Sequence, residues 1–540
     1  MSTATPPRSR PWPGAISLPA VRDVRAPGWV TRRPAWLVGG VVLVLLLAIS
    51  AVLRTRQFSG PLWFEEGIAV GIASRSFGGV LHAAYVGGSA PLYYLLLHFW
   101  VNTVGSGEAA VRGLSLLFAL LAIPVAGWAG WSLAGPRAAF YGAIVFAFGA
   151  TLTTYAEQAL PLTLLIVLSL VAVTAFLHAF AHRRRQYLVV CTLALVAALY
   201  THFSAGLLLF GMLVAFGVIV RCAQPGDRRA LVRDGLLCLG GVVLLFVPWL
   251  PATIHQILHA TSPWHYVPLT GASIPGQMVG GERVDAALAA AGVIGLGPML
   301  LVRSRRRTPE AVACWALATI VVAGLGLAAI GELVTTVWTV RFFAPLGAAL
   351  LLLGALAAAR AKVVGFAAIL VYIACCANPG AFAPGHMSNV NQINAQLGPR
   401  LHTGDLVVVA QPEQAPLADY YLPSGLRYAT TLGATPDPGY MDWDDALSRL
   451  RATNPRTTLA PLIASLRPGQ RLLYIRPLTE GVRNWKSPWA SLVQLRAAQW
   501  GQLLTEDVDR GVLIPLGTAP NNYLGSCCVA NSAVLYRKAH

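Results

Sequence analysis

The chain has 540 residues, of which 56% are hydrophobic and only 11% charged, and its mean hydropathy is +0.61. So apolar a composition excludes a soluble enzyme and describes a polytopic α-helical membrane protein. The formal charge of +18 does not mark a nucleic-acid binder, because the basic residues fall in short clusters between apolar runs, where the positive-inside rule places cytoplasmic loops.

Residues 1–35 are rich in Pro and Arg and read as a disordered cytoplasmic tail. Arg22, Arg25, Arg32 and Arg33 precede the first apolar run, Trp36 to Leu53, and hold the amino terminus inside. That run follows an extended basic segment and reads as a retained anchor, with Ala48 to Ala51 leaving signal cleavage open.

The next segment, 54–108, reads as one extracytoplasmic loop. Its apolar stretch Pro91 to Val104 falls short of the roughly 20 residues needed to cross a bilayer. Two juxtamembrane helices are expected in the loop, one beginning at Glu65 and one at Pro91, where a first-turn proline suits a helix start. The first carries the adjacent carboxylates Glu65 and Glu66. Two acids beside a bilayer cost solvation energy, which leaves either a solvated juxtamembrane pair or chemistry on a membrane-bound substrate.

Basic clusters at Arg137, His182 to Arg185, Arg221 to Arg233, Arg303 to Arg307 and Arg360 to Lys362 complete a consistent path. Spans are expected near 36–53, 109–133, 138–154, 161–180, 187–202, 204–220, 234–250, 284–302, 310–330, 342–359 and 363–379, about eleven in all, which puts the carboxyl terminus outside. On this path Glu65, Glu66, Tyr93, Tyr94, Tyr155, Glu157, Gln158, Thr201, His202, His255, His259, Glu332 and Arg341 lie at outer span ends or in outer loops. Polar loops explain His255 and His259, whereas Glu157 and Arg341 lie at span edges, where an ionised group needs a partner or water.

The membrane domain therefore runs over 36–380. From 381 to 540 apolar runs shorten to strand length, as in Leu406 to Val409, Leu472 to Ile475 and Val534 to Tyr536, and alternate with helix-like stretches at 443–452 and 488–504. This is a small extracytoplasmic α/β domain, read as a structural or acceptor-binding lid. It carries no Gly-x-Gly-x-x-Gly or Walker-type loop, and the chain has no internal repeat.

Cys191, Cys238, Cys314, Cys375 and Cys376 lie in expected spans and read as packing residues, while Cys527 and Cys528 lie in the outer domain, as a vicinal disulfide, a link to another chain or two free thiols. His255 and His259 have the helical spacing of a zinc protease, but Gln256 stands where that chemistry needs a glutamate base. No Cys-x-x-Cys pair indicates zinc, and no residues are singled out as metal ligands.

One ordered series of motifs resembles a known family. It runs Leu62-Trp63-Phe64-Glu65-Glu66, Pro91 to His98, Ala110 to Ser115, Tyr200-Thr201-His202-Phe203, Pro248-Trp249-Leu250-Pro251 and Arg341-Phe342. The series is similar to that of the protein-mannosyltransferase and aminoarabinose-transferase branch of the GT-C glycosyltransferases, over roughly residues 36 to 380. The resemblance implies a sugar, such as mannose or arabinose, moved with inversion from a polyprenyl-phosphate donor at the outer leaflet of the plasma membrane. The acceptor would be an envelope glycan, lipid or protein.

The resemblance also implies that Glu65 stands where the family has its catalytic Asp, with Glu66 at the Glu that follows. A carboxylate suits a general base, and the leaving phosphate needs cations or donors; Arg341 and His202 match family positions near that phosphate. Tyr93, Tyr94 and Glu157 complete the candidate donor-phosphate or substrate-binding set. No cofactor is specified, and a divalent cation is left open.

The departures from the family pattern are Glu65 itself, one methylene longer than Asp, then Gly88-Ser89-Ala90-Pro91 in place of His-x-Pro-Pro, and Ala156 to Leu162 where an Arg and a Tyr follow Tyr155. They leave three readings open: an active transferase, a silent relative that binds or assembles envelope glycans, and a lipid or solute transporter, for which the repeats and broken paired helices typical of transporters are not evident.

Overall fold

The computed structural model describes residues 35–56, 58–259, 274–301, 308–334, 340–377, 388–478, 487–519 and 530–540. All but the last residue of the expected tail, and also Cys527 and Cys528, lie outside the described residues.

Helix α1 (Ala35–Arg54) leads into three short helices, α2 (Phe64–Ala73), α3 (Phe77–Val86) and α4 (Leu92–Val104). The sequence predicts two between 54 and 108. The additional one, α3, is started by Ser76, whose hydroxyl accepts from the Gly79 N–H at 3.3 Å, a local cap that the weak periodicity of Phe77-Gly78-Gly79-Val80 conceals.

The membrane domain continues with α5 (Glu108–Ala134), α6 (Pro136–Phe148), α7 (Ala150–Ala156), and α8 (Leu162–Phe176) with a π turn, Leu177–Ala181. Then follow α9 (Tyr187–Leu199), α10 (Ala205–Cys222), α11 (Pro225–Phe246), α12 (Leu250–His259) and α13 (Ile274–Val279). The last four are α14 (Glu282–Leu301), α15 (Pro309–Val334), α16 (Ala344–Arg360) and α17 (Lys362–Cys376). Among the described residues, 7 helices are long and apolar enough to cross a membrane, or 8 if the bent pair α6–α7 counts as one span. Helix α8 is apolar on every side and, continued by its π turn to Ala181, is buried at nearly every position, which makes it a central helix of the bundle. Small residues let backbones close on one another, as at Gly211, where a Cβ would lie 2.4 Å from the Ile320 carbonyl oxygen.

Of the eleven expected spans, those at 187–202 and 363–379 appear as helices of only 13 and 15 residues, and that at 284–302 is not among the membrane-length apolar helices of the described residues; two more differ in their course. The run 138–154 is broken at Gly149, where α6 and α7 meet at a 49° bend. The break strips carbonyls at the end of α6 of their helical donors, and side chains replace them. Arg54, fully buried, donates to Phe146 O at 2.5 Å, to Ala147 O at 3.3 Å and to Ala119 O at 2.8 Å, and the Tyr372 hydroxyl donates to Val145 O at 2.8 Å. A kink satisfied in this way is a fixed bend. The second difference is α11, which starts at Pro225 instead of 234, so that Arg228, Arg229 and Arg233 belong to its first turns and not to a loop. Proline at the first turn and helix-tolerant arginines permit the early start, and Asp234 takes a two-pronged bond from Arg185 at 2.7 and 2.6 Å.

The carboxyl-terminal part is built on a six-stranded sheet in the order β3-β2-β1-β4-β6-β5. Strand β1 (Leu406–Val409) lies between β2 (Arg427–Thr430) and β4 (Arg471–Pro477), parallel to both. Strands β3 (Gly433–Ala434), β6 (Asn531–Lys538) and β5 (Leu513–Ala519) pair antiparallel. Every residue of β1 is buried, because its two faces feed separate cores: Leu406 and Val408 pack with Trp500, Val407 and Val409 with Leu535. The helices here include α18 (Val390–Leu397), α19 (Ala415–Tyr421), α20 (Ala446–Ala452) and, after two short helices α21 (Pro455–Thr458) and α22 (Ala460–Ala464), the long α23 (Pro488–Asp509).

Just past β1 a buried polar relay fixes α19. The Glu413 carboxylate accepts from Gln411 Nε2 at 2.9 Å and Trp489 Nε1 at 3.1 Å, and Gln414 Oε1 accepts from Asn531 Nδ2 at 2.6 Å. Burial raises the Glu413 carboxyl above the usual carboxylate range.

Helix α19 is pressed against α2, the helix that carries Glu65. A Cβ at Gly67 would lie 2.9 Å from the Leu417 Cα, and one at Gly71 would lie 1.8 Å from the Gly439 carbonyl oxygen. Just past α2, Arg75 grips Asp437 with both terminal nitrogens, at 2.5 and 2.7 Å, and covers the Tyr440 ring at 4.7 Å. Gly71→Ala is therefore expected to weaken the docking of this domain by about 1–3 kcal/mol, the usual cost of overpacking. The check is an earlier unfolding transition in detergent solution with faster proteolysis of the domain; an unchanged transition would mean that the contact contributes nothing.

Candidate active site

The geometry starts from Glu66, which is buried at 1% exposure beside Arg112 at 4%. Arg112 Nε and Nη2 each reach one Glu66 oxygen at 2.8 Å. The remaining guanidinium hydrogens go to backbone carbonyls, from Nη1 to Phe58 O at 2.9 Å and Gly60 O at 2.7 Å, and from Nη2 to Pro61 O at 3.1 Å. Each Glu66 oxygen takes a second donor: the Ala159 N–H at 2.9 Å on Oε1, and the Trp63 N–H at 2.9 Å on Oε2. The latter is the reach-back of a third-position glutamate to its helix start. All five guanidinium donors are thus used, and one ion pair ties together the 58–61 segment, α2, α5 and the turn after α7.

Tyr93 belongs to this anchor. It is fully buried, its hydroxyl lies 2.9 Å from Ser115 Oγ, and Ser115 in turn donates to Leu160 O at 3.2 Å. Glu157, also buried, follows α7 and lies two residues before Ala159 in the same turn.

Glu65 points elsewhere. Its Oε2 lies 2.5 Å from Arg341 Nη1, with the two side chains 20% and 23% exposed. Arg341 sits in a 3₁₀ turn, Val340–Phe343, that starts α16. The guanidinium carbon lies 6.0 Å from the Trp63 ring centre and 5.9 Å from that of Phe342. Tyr94 feels the charges of both Glu65 and Arg341, and Tyr155 shares an apolar crevice with Val340 and Phe343.

His202 completes the surroundings. Its ring stacks on Phe203 at 4.4 Å and tilts against Phe342 at 5.6 Å. Nδ1 takes the Ser204 N–H at 3.2 Å, so the neutral ring carries its proton on Nε2. Burial, and then the charge of Arg341, pull His202 down to about 3, which keeps it neutral at physiological pH and a donor to an anion.

The expected residues thus divide into two groups. Glu65, Arg341, His202 and Tyr94 come together, while Glu66 and Tyr93 lie in the anchor with Glu157 on its turn. The sequence pattern gives Glu66 the same role as Glu65, and it shows Arg112 only as part of a motif. A lone arginine in the first turn of a span, opposite an acid pair, is the signal that would have paired them. Trp63 and Phe342 join the site through their rings, and Arg54 supports it through the bend that precedes Tyr155. His255 and His259 instead bridge to the carboxyl-terminal domain, bonding Asp444 at 2.7 Å and Asp445 at 3.3 Å. Among the described residues no three His, Cys, Asp or Glu side chains gather as metal ligands.

Comparison with solved structures decides the fold. ArnT from Cupriavidus metallidurans in the apo state superposes with a TM-score of 0.60 at 14% identity, over 93% of this chain and 98% of that one. The chain has the GT-C glycosyltransferase fold. ArnT bound to undecaprenyl phosphate gives 0.58 at 13% identity with the same coverage. The archaeal oligosaccharyltransferase AglB from Archaeoglobus fulgidus, in complex with an inhibitory peptide and a dolichol-phosphate, gives 0.53 at 11%, over 83% of this chain and 70% of that one. No protein-family model matches the chain, and no curated protein matches it in sequence. The GT-C architecture is thus held at an identity where individual residues must be argued from their own geometry.

The anchor generates an expectation of its own. Glu66→Ala should cost about 3–5 kcal/mol, because it leaves the Arg112 guanidinium buried without its partner, whereas Glu66→Gln with Arg112→Met should cost less than the two single changes added. Thermal unfolding of these proteins in detergent measures both; additive losses would show that the two residues do not act as a pair.

Proposed function

We propose that the protein is a membrane glycosyltransferase that moves a sugar from a polyprenyl-phosphate donor to a hydroxyl of an envelope glycan, lipid or protein, with inversion. The observation that carries this reading is the Glu65–Arg341 contact at 2.5 Å. Residues 276 apart in sequence meet there as a carboxylate suited to take a proton and a guanidinium suited to hold a phosphate. The donor class is supported by the shared GT-C fold of structures that hold undecaprenyl phosphate and a dolichol-phosphate.

In the proposed reaction the acceptor oxygen attacks the anomeric carbon while its proton passes to the Glu65 carboxylate. The bond from that carbon to the phosphate oxygen breaks, and its electron pair leaves with the phosphate. Arg341 stabilises the charge that develops, with the His202 Nε2–H as a neutral donor beside it. Tyr94 and Tyr155 border the reacting groups. Glu66 acts as a positioning residue, holding the start of α2 so that Glu65 faces Arg341.

The active end is proposed to face the outer side of the plasma membrane, with the carboxyl-terminal domain on that side and the amino terminus inside. The arginines at Arg183 to Arg185 and at the start of α11 support this orientation, since the Arg185–Asp234 bond draws two basic span ends to one side.

Purified protein given a polyprenyl-phosphate sugar and an envelope acceptor fraction tests the reading. Glu65→Gln should lower transfer roughly 100-fold or more, the scale of lost general-base catalysis, and Arg341→Lys should also fail because an ammonium cannot reproduce the guanidinium fork. Full transfer activity of Glu65→Gln would remove Glu65 as the base, whereas full complementation of a deletion strain by Glu65→Gln without measurable transfer by the wild type would favour a silent, glycan-binding relative.

A further inference from the structure

We infer that Glu65 has a second role, in which it occupies Arg341 in the lipid-free protein and is displaced by the donor phosphate, so that donor binding releases the base. The inference rests on the proposed function and adds an order to it, with the donor first and acceptor activation second.

Three observations carry it. The Glu65 Oε2 to Arg341 Nη1 contact of 2.5 Å puts the carboxylate on the guanidinium, where a phosphate oxygen would bind. A carboxylate and a phosphate ask for the same planar fork of N–H donors, so they compete for it. Both side chains are about one-fifth exposed, and so within reach of an incoming headgroup.

The second observation is the lack of a substitute cation in the described surroundings. All five donors of Arg112 are spent on Glu66 and on backbone carbonyls. His202 is held neutral by burial and by Arg341. An arriving phosphate therefore meets one cation among these groups, and that cation already has a carboxylate on it.

The third is side-chain length. A 2.5 Å contact does not survive shortening the side chain by one methylene, a retraction of about 1.5 Å, unless α2 moves toward Arg341. Helix α2 is not free to do so, because Glu66 is pinned to Arg112 on one side and Gly67 and Gly71 lie against Leu417 and Gly439 on the other. Glutamate at position 65 is thus the residue that can both reach Arg341 and swing away from it, while an aspartate there would fall short of the guanidinium.

The displacement is an exchange of ionic partners with no covalent step. Before it, Oε2 is turned to the guanidinium and away from any acceptor. After it, the phosphate neutralises Arg341 and the carboxylate is free to take the proton of an acceptor hydroxyl. An acceptor arriving before the donor finds the base engaged.

The test is affinity, measured with undecaprenyl phosphate and the purified full-length protein in detergent, for wild type, Glu65→Gln, Glu65→Asp, Arg341→Gln and the Glu65→Gln/Arg341→Gln double variant. Removing an internal competitor of this exposure should tighten binding about fivefold in Glu65→Gln, with Glu65→Asp shifting the same way as a second, charge-preserving variant. Arg341→Gln should weaken binding at least tenfold, and the double variant should match Arg341→Gln, since the competitor matters only while the contested cation is present. Unchanged or weaker binding in both Glu65 variants, with Arg341→Gln weak, would overturn the displacement while leaving the phosphate role of Arg341 standing. Unchanged binding in Arg341→Gln would instead remove the functional reading on which the inference rests.

Discussion

The Arg112–Glu66 pair is the constraint on which the rest of the site depends. Taking two charges out of water is expensive, and the cost is met here by completeness: five guanidinium donors and both carboxylate oxygens find partners. The partners come from four places in the chain: the 58–61 segment, the start of α2, the start of α5 and the turn at Ala159. Because Glu65 is the residue before Glu66, the pair also fixes where the neighbouring carboxylate can go. One acid is consumed to aim the other.

Two further devices hold the frame around that aim. At the α6–α7 bend, Arg54 and Tyr372 take the carbonyls that the break exposes, so that the bend leading to Tyr155 is set by hydrogen bonds. On the other side the carboxyl-terminal domain lies against α2 through Gly67 and Gly71, while Arg75 holds Asp437 and the Leu62 N–H donates to the Tyr421 hydroxyl at 2.7 Å. The domain that the sequence suggests as a lid is observed packed behind the helix that carries Glu65, where these contacts brace it.

Much of the fold is legible because membrane spans are written as long apolar runs between arginines, and 7 of the described helices, or 8 with the bent pair, are long and apolar enough to be such spans where about eleven are expected. What is hidden has local causes. Helix α3 begins Phe77-Gly78-Gly79, a poor periodic signal rescued by its Ser76 cap. The start of α11 lies in arginines that resemble a loop. Strand β5 carries Pro515 and Gly517 with a register shift between them, features that an edge strand tolerates and that obscure it in sequence. The site is legible by residue type but not by pairing. Glu65 and Arg341 are both candidates on their own, yet nothing in a linear pattern joins positions 276 apart. The adjacency of Glu65 and Glu66 suggests a shared role where packing gives them opposite ones: Glu66 is sealed at 1% exposure, and Glu65 reaches toward the turn that starts α16.

In the proposed reaction the Glu65–Arg341 contact marks the place of the donor phosphate, and everything else in the scheme follows from that placement. The most direct measurement is an electron cryomicroscopy structure of the full chain with undecaprenyl phosphate bound. The expected result is the phosphate on the Arg341 guanidinium with the Glu65 carboxylate turned off it. A headgroup bound elsewhere, with the 2.5 Å pair intact, would contradict the assignment.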